Sequence, residues 1–184
     1  MPRLEPFRVE PFRAEPFRLE QLRADHATAL LTFERENRAY FGASVPDRGD
    51  AFFDRFDALH RERLAEQAAG LCFFHLLVDD TGAVLGRVNL VDVAEGAADL
   101  GYRIAERAAG KGLATAAVRE VRALAVTAYG LRSLRAAATV DNAASRTVLT
   151  RTGFRLIGET VLNGRPALRF ELGLAAAEPA APRG

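Results

Sequence analysis

The stretch Arg107-Ala108-Ala109-Gly110-Lys111-Gly112-Leu113-Ala114 has the residue types and spacing best suited to chemistry. It leaves an apolar run at Ile104-Ala105 and opens an alanine-rich segment of helical spacing. Two glycines two apart let successive backbone N–H groups converge on one point with no Cβ in the way. Those donors add to the N–H groups that begin the following helix, where partial positive charge favours a phosphate. Arg107 and Lys111, the only lysine in the chain, supply full charges. The pattern is not a nucleoside-triphosphate P-loop, which needs a Gly-Lys-Ser/Thr run after four spacer residues. Nor is it a dinucleotide fingerprint, because the third glycine is missing. Spacing alone leaves two readings open: a pyrophosphate cradle, and a glycine turn that merely ends a strand.

The elements that must position this loop follow from periodicity and punctuation. Residues 25–40 are a run of helix formers behind Asp25, an N-cap type. Pro46-Asp47-Arg48-Gly49-Asp50 breaks the chain, and Phe52, Phe53, Phe56, Leu59 and Leu64 then mark a second helix that ends near Gly70. From Leu71 the period changes. Strands are expected over 71–78, 83–93 and 98–104, the first two joined by the turn Asp79-Asp80-Thr81-Gly82. A helix over 112–128, a strand over 133–140 and a short helix over 143–152 come next. A hairpin of 154–162 and 166–174 around Asn163-Gly164 closes the domain. This order gives an α+β fold with a mixed, mostly antiparallel sheet flanked by helices.

Upstream, Glu5-Pro6-Phe7-Arg8 recurs at Glu10 and at Glu15, a five-residue period that suits neither helix nor strand. Residues 1–16 therefore read as an extended tail, 17–174 as one domain, and the Ala/Pro-rich 175–184 as a disordered tail with nothing to pack. Twenty-five basic against 24 acidic residues give a net charge of +1, which argues against a nucleic-acid-binding face. A single cysteine, Cys72, excludes an intrachain disulfide and a Cys-rich zinc site, and His26, His60 and His75 have no ligand spacing. No metal site is expected. No stretch approaches 18 apolar residues, and Arg3 with Glu5 argues against a signal peptide, so the expectation is a soluble cytoplasmic protein without a membrane partner. Monomer and homodimer both remain open.

The succession of strand, Arg-x-x-Gly-x-Gly-Leu-Ala loop, helix, strand, Asp141-Asn142-Ala143-Ala144-Ser145 and Gly153-Phe154 resembles the GNAT superfamily of acetyl-CoA-dependent N-acetyltransferases. Gly101-Tyr102-Arg103-Ile104 before the loop, and Asn142-x-x-Ser145 eight residues before Gly153-Phe154, resemble the Rim type, which acetylates N-terminal α-amines of ribosomal proteins. The resemblance spans residues 17–174. It implies acetyl-CoA as co-substrate and splayed central strands. The pyrophosphate would lie on Arg107, Ala109, Gly110, Lys111, Gly112, Leu113 and Ala114, and the pantetheine arm on the backbone of Ile104 and Ala105 and on Asn142. Ser145 would lie near the thioester sulfur. Asn142 is equally an N-cap for the helix that follows it.

Acetyl transfer to an amine requires loss of the ammonium proton, polarisation of the thioester carbonyl and stabilisation of the departing thiolate. Asp99, just upstream of Gly101-Tyr102, is the first candidate base, and Glu159 the second. The acidic position of the Rim type falls one step from Glu159, on Thr160, and one step reverses a strand's face. Many GNAT enzymes carry an acidic tyrosine four residues before the Gly-Phe pair. Here Leu149 stands there, which leaves the proton to Ser145 or solvent. Cys72 and His75 sit in an apolar run that suits core residues. Tyr40, Phe41, Phe52 and Phe53, with Asp92, Glu95 and Asp99, are available to line an acceptor site. The acceptor expected first is a protein N-terminal amine. A small-molecule amine and a non-catalytic acyl-CoA-binding module are the alternatives.

Overall fold

The computed structural model describes residues 16–174, so the tail expected at 175–184 and all but Pro16 of the tail expected at 1–16 lie outside the described residues. Phe17 leads into β1 (Arg18–Gln21). Four helices follow, α1 (Ala27–Glu36), α2 (Arg38–Gly42), α3 (Asp50–Asp54) and α4 (Phe56–Ala68), and then β2 (Phe73–Val78), β3 (Val84–Ala94) and β4 (Ala97–Ile104). Beyond the glycine loop come α5 (Leu113–Thr127), β5 (Ser133–Thr139), α6 (Ala143–Arg151) and the hairpin of β6 (Arg155–Leu162) and β7 (Arg165–Gly173).

Two expected helices are thus four, and each break has a local cause. Asn37 leaves the helical region (φ −103°, ψ 9°), and its side chain donates from Nδ2 to the Phe33 carbonyl at 2.8 Å. Its Oδ1 accepts from the Glu106 N–H at 2.9 Å, which ties the α1–α2 junction to the glycine loop. Arg55 makes the same departure (φ −100°, ψ 10°) between α3 and α4. Asp25 is not the N-cap of α1. It lies inside a 3₁₀ turn, Ala24–His26, where His26 Nδ1 accepts from the Arg23 N–H, and His26 itself caps α1.

The seven strands form one sheet in the order β1-β2-β3-β4-β5-β7-β6, antiparallel except for β4 against β5. At the closing hairpin Asn163 (φ 52°) and Gly164 (φ 75°) both take left-handed backbone, the requirement of a two-residue type I′ turn. Along α5 the buried stripe is Leu113, Ala117, Val118, Val121 and Ala125, and it packs on one sheet face with Val88, Leu90, Leu100 and Leu134. Each large aliphatic group so buried contributes about 1.5–3 kcal/mol. Helices α1 and α4 cover the other face through β3 and β2. Strand alternation therefore assigns every β4 side chain to the α5 side or the α1–α4 side.

Candidate active site

Strands β4 and β5 pair over three residues only: Ala97 with Ser133, Ala98 with Leu134 and Asp99 with Arg135. Both strands continue, β4 to Ile104 and β5 to Thr139, so the sheet opens into a wedge from Leu100 onward. On its other edge β4 stays paired with β3 as far as Ile104, and the Ala105 N–H donates to the Leu85 carbonyl at 2.8 Å. Backbone groups alternate along an antiparallel strand. The bond from Ala105 therefore turns Arg103 and Gly101 toward β3, and Tyr102 and Ile104 toward the wedge. Of the pair expected to hold a pantetheine arm, Ile104 presents its backbone to the wedge, whereas the N–H of Ala105 is committed to β3. An open strand edge of this kind adds an extended, amide-bearing ligand as a further strand.

At the end of the wedge, Gly110 (φ 73°) and Gly112 (φ 74°) take the left-handed conformation that glycine adopts without a Cβ penalty. Gly112 is the N-cap of the 15-residue α5, and no side chain caps that terminus. The first N–H groups of α5 therefore face outward, and open space surrounds Gly110. Ala109 and Lys111 are half-buried in this loop, with Leu113 beneath it in the core and Ala114 partly covered. Arg107 is tethered by an ion pair to Asp79 at 3.7 Å, and Asp79 in turn organises the β2–β3 turn by accepting from the Thr81 and Ala83 N–H groups.

Asn142 caps α6, its Oδ1 accepting from the Ser145 N–H at 3.0 Å; the same side chain carries the Nδ2 donor. The Ser145 hydroxyl lies 2.9 Å from the hydroxyl of Tyr102, which also donates to the Ser145 carbonyl at 3.2 Å. Burial raises the Tyr102 phenol above the ordinary tyrosine range, against a smaller pull from Ser145, so it is protonated at neutral pH. Tyr102 stands in the Gly101-Tyr102-Arg103-Ile104 motif, and the sequence alone assigns it no role. A phenol one strand position past Gly101, reaching across the wedge, is visible only once β4 and α6 are placed. Leu149 is buried in the core.

Asp99 stands where the β4–β5 pairing ends, and accepts from Arg135 Nε at 2.6 Å. Glu159 is exposed on β6, opposite Leu168, and the registers put it on the sheet face opposite Asp99. The structure thus joins Ser145 to Tyr102, sets Asp99 at the apex of the wedge, and leaves Glu159 two strands beyond β5. Cys72 is buried, and burial with the Glu66 charge pushes its thiol up to about 11. His75 is a core residue that bonds the Tyr129 hydroxyl at 2.7 Å, and burial pushes its imidazole down to about 4.

On the α1–α4 side lies a cavity of about 790 Å³, within the range of small-ligand sites. Its walls include Leu30, Phe52, Phe56, Phe74, Leu76 and Val91, together with Glu34, Arg48, Arg87, Asn89 and Asp92. Of the residues expected to line an acceptor site, Phe52 and Asp92 do so; Phe41 is core, and Phe41 and Phe53 line a smaller adjoining recess. Asn89 is the β-partner of Gly101, where a Cβ would meet nothing within 4 Å. The cavity thus reaches β3 at Asn89, one strand from the wedge and opposite a glycine. Among the described residues no cluster of three or more His, Cys, Asp or Glu groups is arranged to hold a metal ion, and no helix is long and apolar enough to cross a membrane.

A family model described as "Acetyltransferase (GNAT) domain" matches residues 17–155. No curated protein matches the sequence significantly. Among solved structures, the ribosomal-protein-S5-alanine acetyltransferase of Vibrio fischeri superposes with a TM-score of 0.83 at 22% identity, over 91% of this chain and 98% of the other. RimJ of Mycobacterium smegmatis, in complex with CoA-disulfide, gives 0.77 at 23% identity over 87% and 83%. The spermidine N-acetyltransferase of Vibrio cholerae, in complex with CoA and spermine, gives 0.71 at 17% over 86% and 95%.

Proposed function

The chain belongs to the GNAT acetyltransferase family, with acetyl-CoA as its co-substrate, and from that premise we propose that it acetylates a protein N-terminal α-amine by direct attack on the thioester. The observation that carries this reading is the wedge between β4 and β5, with the Tyr102–Ser145 pair on one sheet face and, on the other, a large cavity that reaches Asn89, the β-partner of Gly101. In the proposed complex the pyrophosphate rests on Gly110, Gly112 and the N-terminus of α5. The pantetheine arm adds to β4 along Tyr102 and Ile104, with Asn142 Nδ2 donating to one of its amides.

The acceptor enters from the cavity. Asp99, oriented by its bond from Arg135, takes the ammonium proton through water. The amine nitrogen bonds to the thioester carbon, and a wedge-facing β4 N–H stabilises the oxygen as it gains charge. When the C–S bond breaks, the thiolate takes a proton from Ser145, which is refilled from Tyr102; the nitrogen gives up its second proton to water as the amide forms, and water returns a proton to Tyr102. Glu159 is worse placed for the base role than Asp99. With its one buried thiol, the enzyme suits a cytoplasmic setting. The test is incubation of the full chain with acetyl-CoA and a panel of peptides and polyamines, with acetylation sites read by mass spectrometry. Label on α-amines supports the reading, and label confined to polyamines overturns it.

A further inference from the structure

Glu34 on α1 is 4% exposed, and three guanidinium groups surround its single carboxylate: Arg87 at 3.0 Å, Arg103 at 3.5 Å and Arg48 at 3.8 Å. No other carboxylate among the described residues is ion-paired with these three arginines, so the cluster holds a local excess of two positive charges. The excess is sheltered from water. The Arg87 side chain is 14% exposed and Arg103 20%, with Arg48 at the cluster's outer edge at 32%. Arg87 Nε lies off the hydrogen-bond line to Glu34 and is buried without an acceptor. Burial, with repulsion from Arg48, Arg103 and Arg63, holds the Arg87 guanidinium below the ordinary arginine range even against the pull of Glu34. Aromatic faces fix the others in place, Arg48 over Phe52 at 4.4 Å and Arg103 over Phe41 at 5.2 Å. Glu34, Arg48 and Arg87 line the cavity and Arg103 the smaller recess beside it; Arg55 and Arg63, also on the cavity wall, differ in having their own acids, Glu62 and Glu66.

The cluster's position relates it to the reaction. Arg87 and Arg103 are β-partners, and the next pair on the same face is Asn89 with Gly101, at the wedge. Two strand residues span about 7 Å, so the excess charge lies roughly a dipeptide from where an amine meets the thioester. A desolvated pair of uncompensated cations is costly unless an anion joins it.

We propose that this arginine cluster receives an anionic group carried by the acceptor, which is a protein N-terminus with an aspartate or glutamate within its first three residues. The proposal rests on the N-terminal acetyltransferase reading. A polyamine would bring more positive charge to a wall already in excess, whereas an acidic side chain neutralises it. Positive and negative charge on one acceptor also suit the cavity, where Asp92 stands as an acid for the ammonium.

The experiment uses the full chain with acetyl-CoA and matched peptides: Ser-Asp-Glu-Ala, its amide isostere Ser-Asn-Gln-Ala and the basic Ser-Arg-Lys-Ala, beside spermidine and phosphoethanolamine. The acidic peptide is expected to exceed its isostere at least tenfold in kcat/KM, mostly through KM, and Arg48→Gln to reduce that ratio to about twofold or less. Binding of the N-acetylated acidic peptide, which cannot turn over, is measured by calorimetry and should weaken at least tenfold in Arg48→Gln. Equal or better turnover of the isostere, the basic peptide or spermidine overturns the proposal while acetyl transfer stands. Turnover of phosphoethanolamine without any peptide supports the anion subsite and overturns the N-terminus reading. No binding of the blocked acidic peptide, with acetyl-CoA binding intact, overturns the proposal.

Discussion

The hydroxyl of Tyr102, on the splayed strand β4, lies 2.9 Å from the hydroxyl of Ser145, on the first turn of α6. One hydroxyl comes from each side of the wedge, so the two share a proton path that neither element has alone. Burial raises the Tyr102 phenol, which makes it a poor anion and a well-stocked donor at neutral pH.

If that path delivers the proton to the leaving thiolate, Tyr102→Phe and Ser145→Ala should each lower kcat by about 10²-fold while leaving the acetyl-CoA dissociation constant nearly unchanged. Residues that act as one unit are not additive, so the double variant should be no slower than the worse single one. Steady-state kinetics with calorimetric binding provide the check. Multiplicative losses would show two independent roles and defeat the relay.

Much of this arrangement was legible in the sequence, and the reason is local. The glycine loop and the Asn163-Gly164 turn are written in residues whose backbone freedom has few substitutes, and the strand and helix order follows from period changes that single segments carry. Asn37 is the counterexample. It reads as an ordinary polar residue within a helical run, yet it is buried, and its amide bonds both Phe33 and Glu106. That double use depends on a contact 69 residues away, which no window of sequence contains. The Glu34 cluster is illegible in sequence for the same reason: its arginines come from the segment before α3 and from two strands, so only the register of β3 on β4 assembles them. Asp99 was identifiable as an acid near the wedge, but its pairing with Arg135 depends on where β5 stops following β4.

The glycine loop gives a second expectation. Gly110→Asp or Gly112→Asp forces a side chain onto left-handed backbone at a cost of about 1–2 kcal/mol, partly offset because a carboxylate suits a helix N-terminus. That same carboxylate occupies the place of the pyrophosphate and repels it. Acetyl-CoA affinity should fall more than tenfold in each variant with the circular dichroism spectrum retained. An unchanged dissociation constant would remove the loop from the binding site.

A glycine behind the wedge is also informative. A Cβ on Gly86 would lie 2.7 Å from Ile104 Cδ1 and 2.8 Å from the Arg103 carbonyl oxygen, and the second of these is backbone that does not yield cheaply. Gly86→Ala must push the wedge-lining end of β4 outward. The strain of such overpacking is about 1–3 kcal/mol, or roughly 2–12 °C in Tm for a domain of this size. Weaker acetyl-CoA binding should accompany the lower Tm, because the displaced residues include the proposed pantetheine edge. Differential scanning fluorimetry with and without acetyl-CoA separates the two effects, and a variant with wild-type Tm would show that β4 tolerates the shift.

The buried imidazole of His75 sets the acid side of stability. Its folded-state pKa is pushed down to about 4 by burial, whereas an unfolded histidine titrates near 6.5. Above pH 6.5 both states are neutral and His75 contributes no slope. As pH falls below 6.5 the unfolded chain binds a proton that the folded chain refuses, so the unfolded state gains by up to about 1.4 kcal/mol per pH unit. The loss should reach about 2 kcal/mol at pH 5 and level off below pH 4, where the folded imidazole also protonates. Urea unfolding between pH 7 and pH 5 measures it. In His75→Phe the slope over that window should flatten even if overall stability drops, because the phenyl ring removes the titrating group along with its bond to Tyr129. A variant that keeps the wild-type slope would assign the acid sensitivity to other groups.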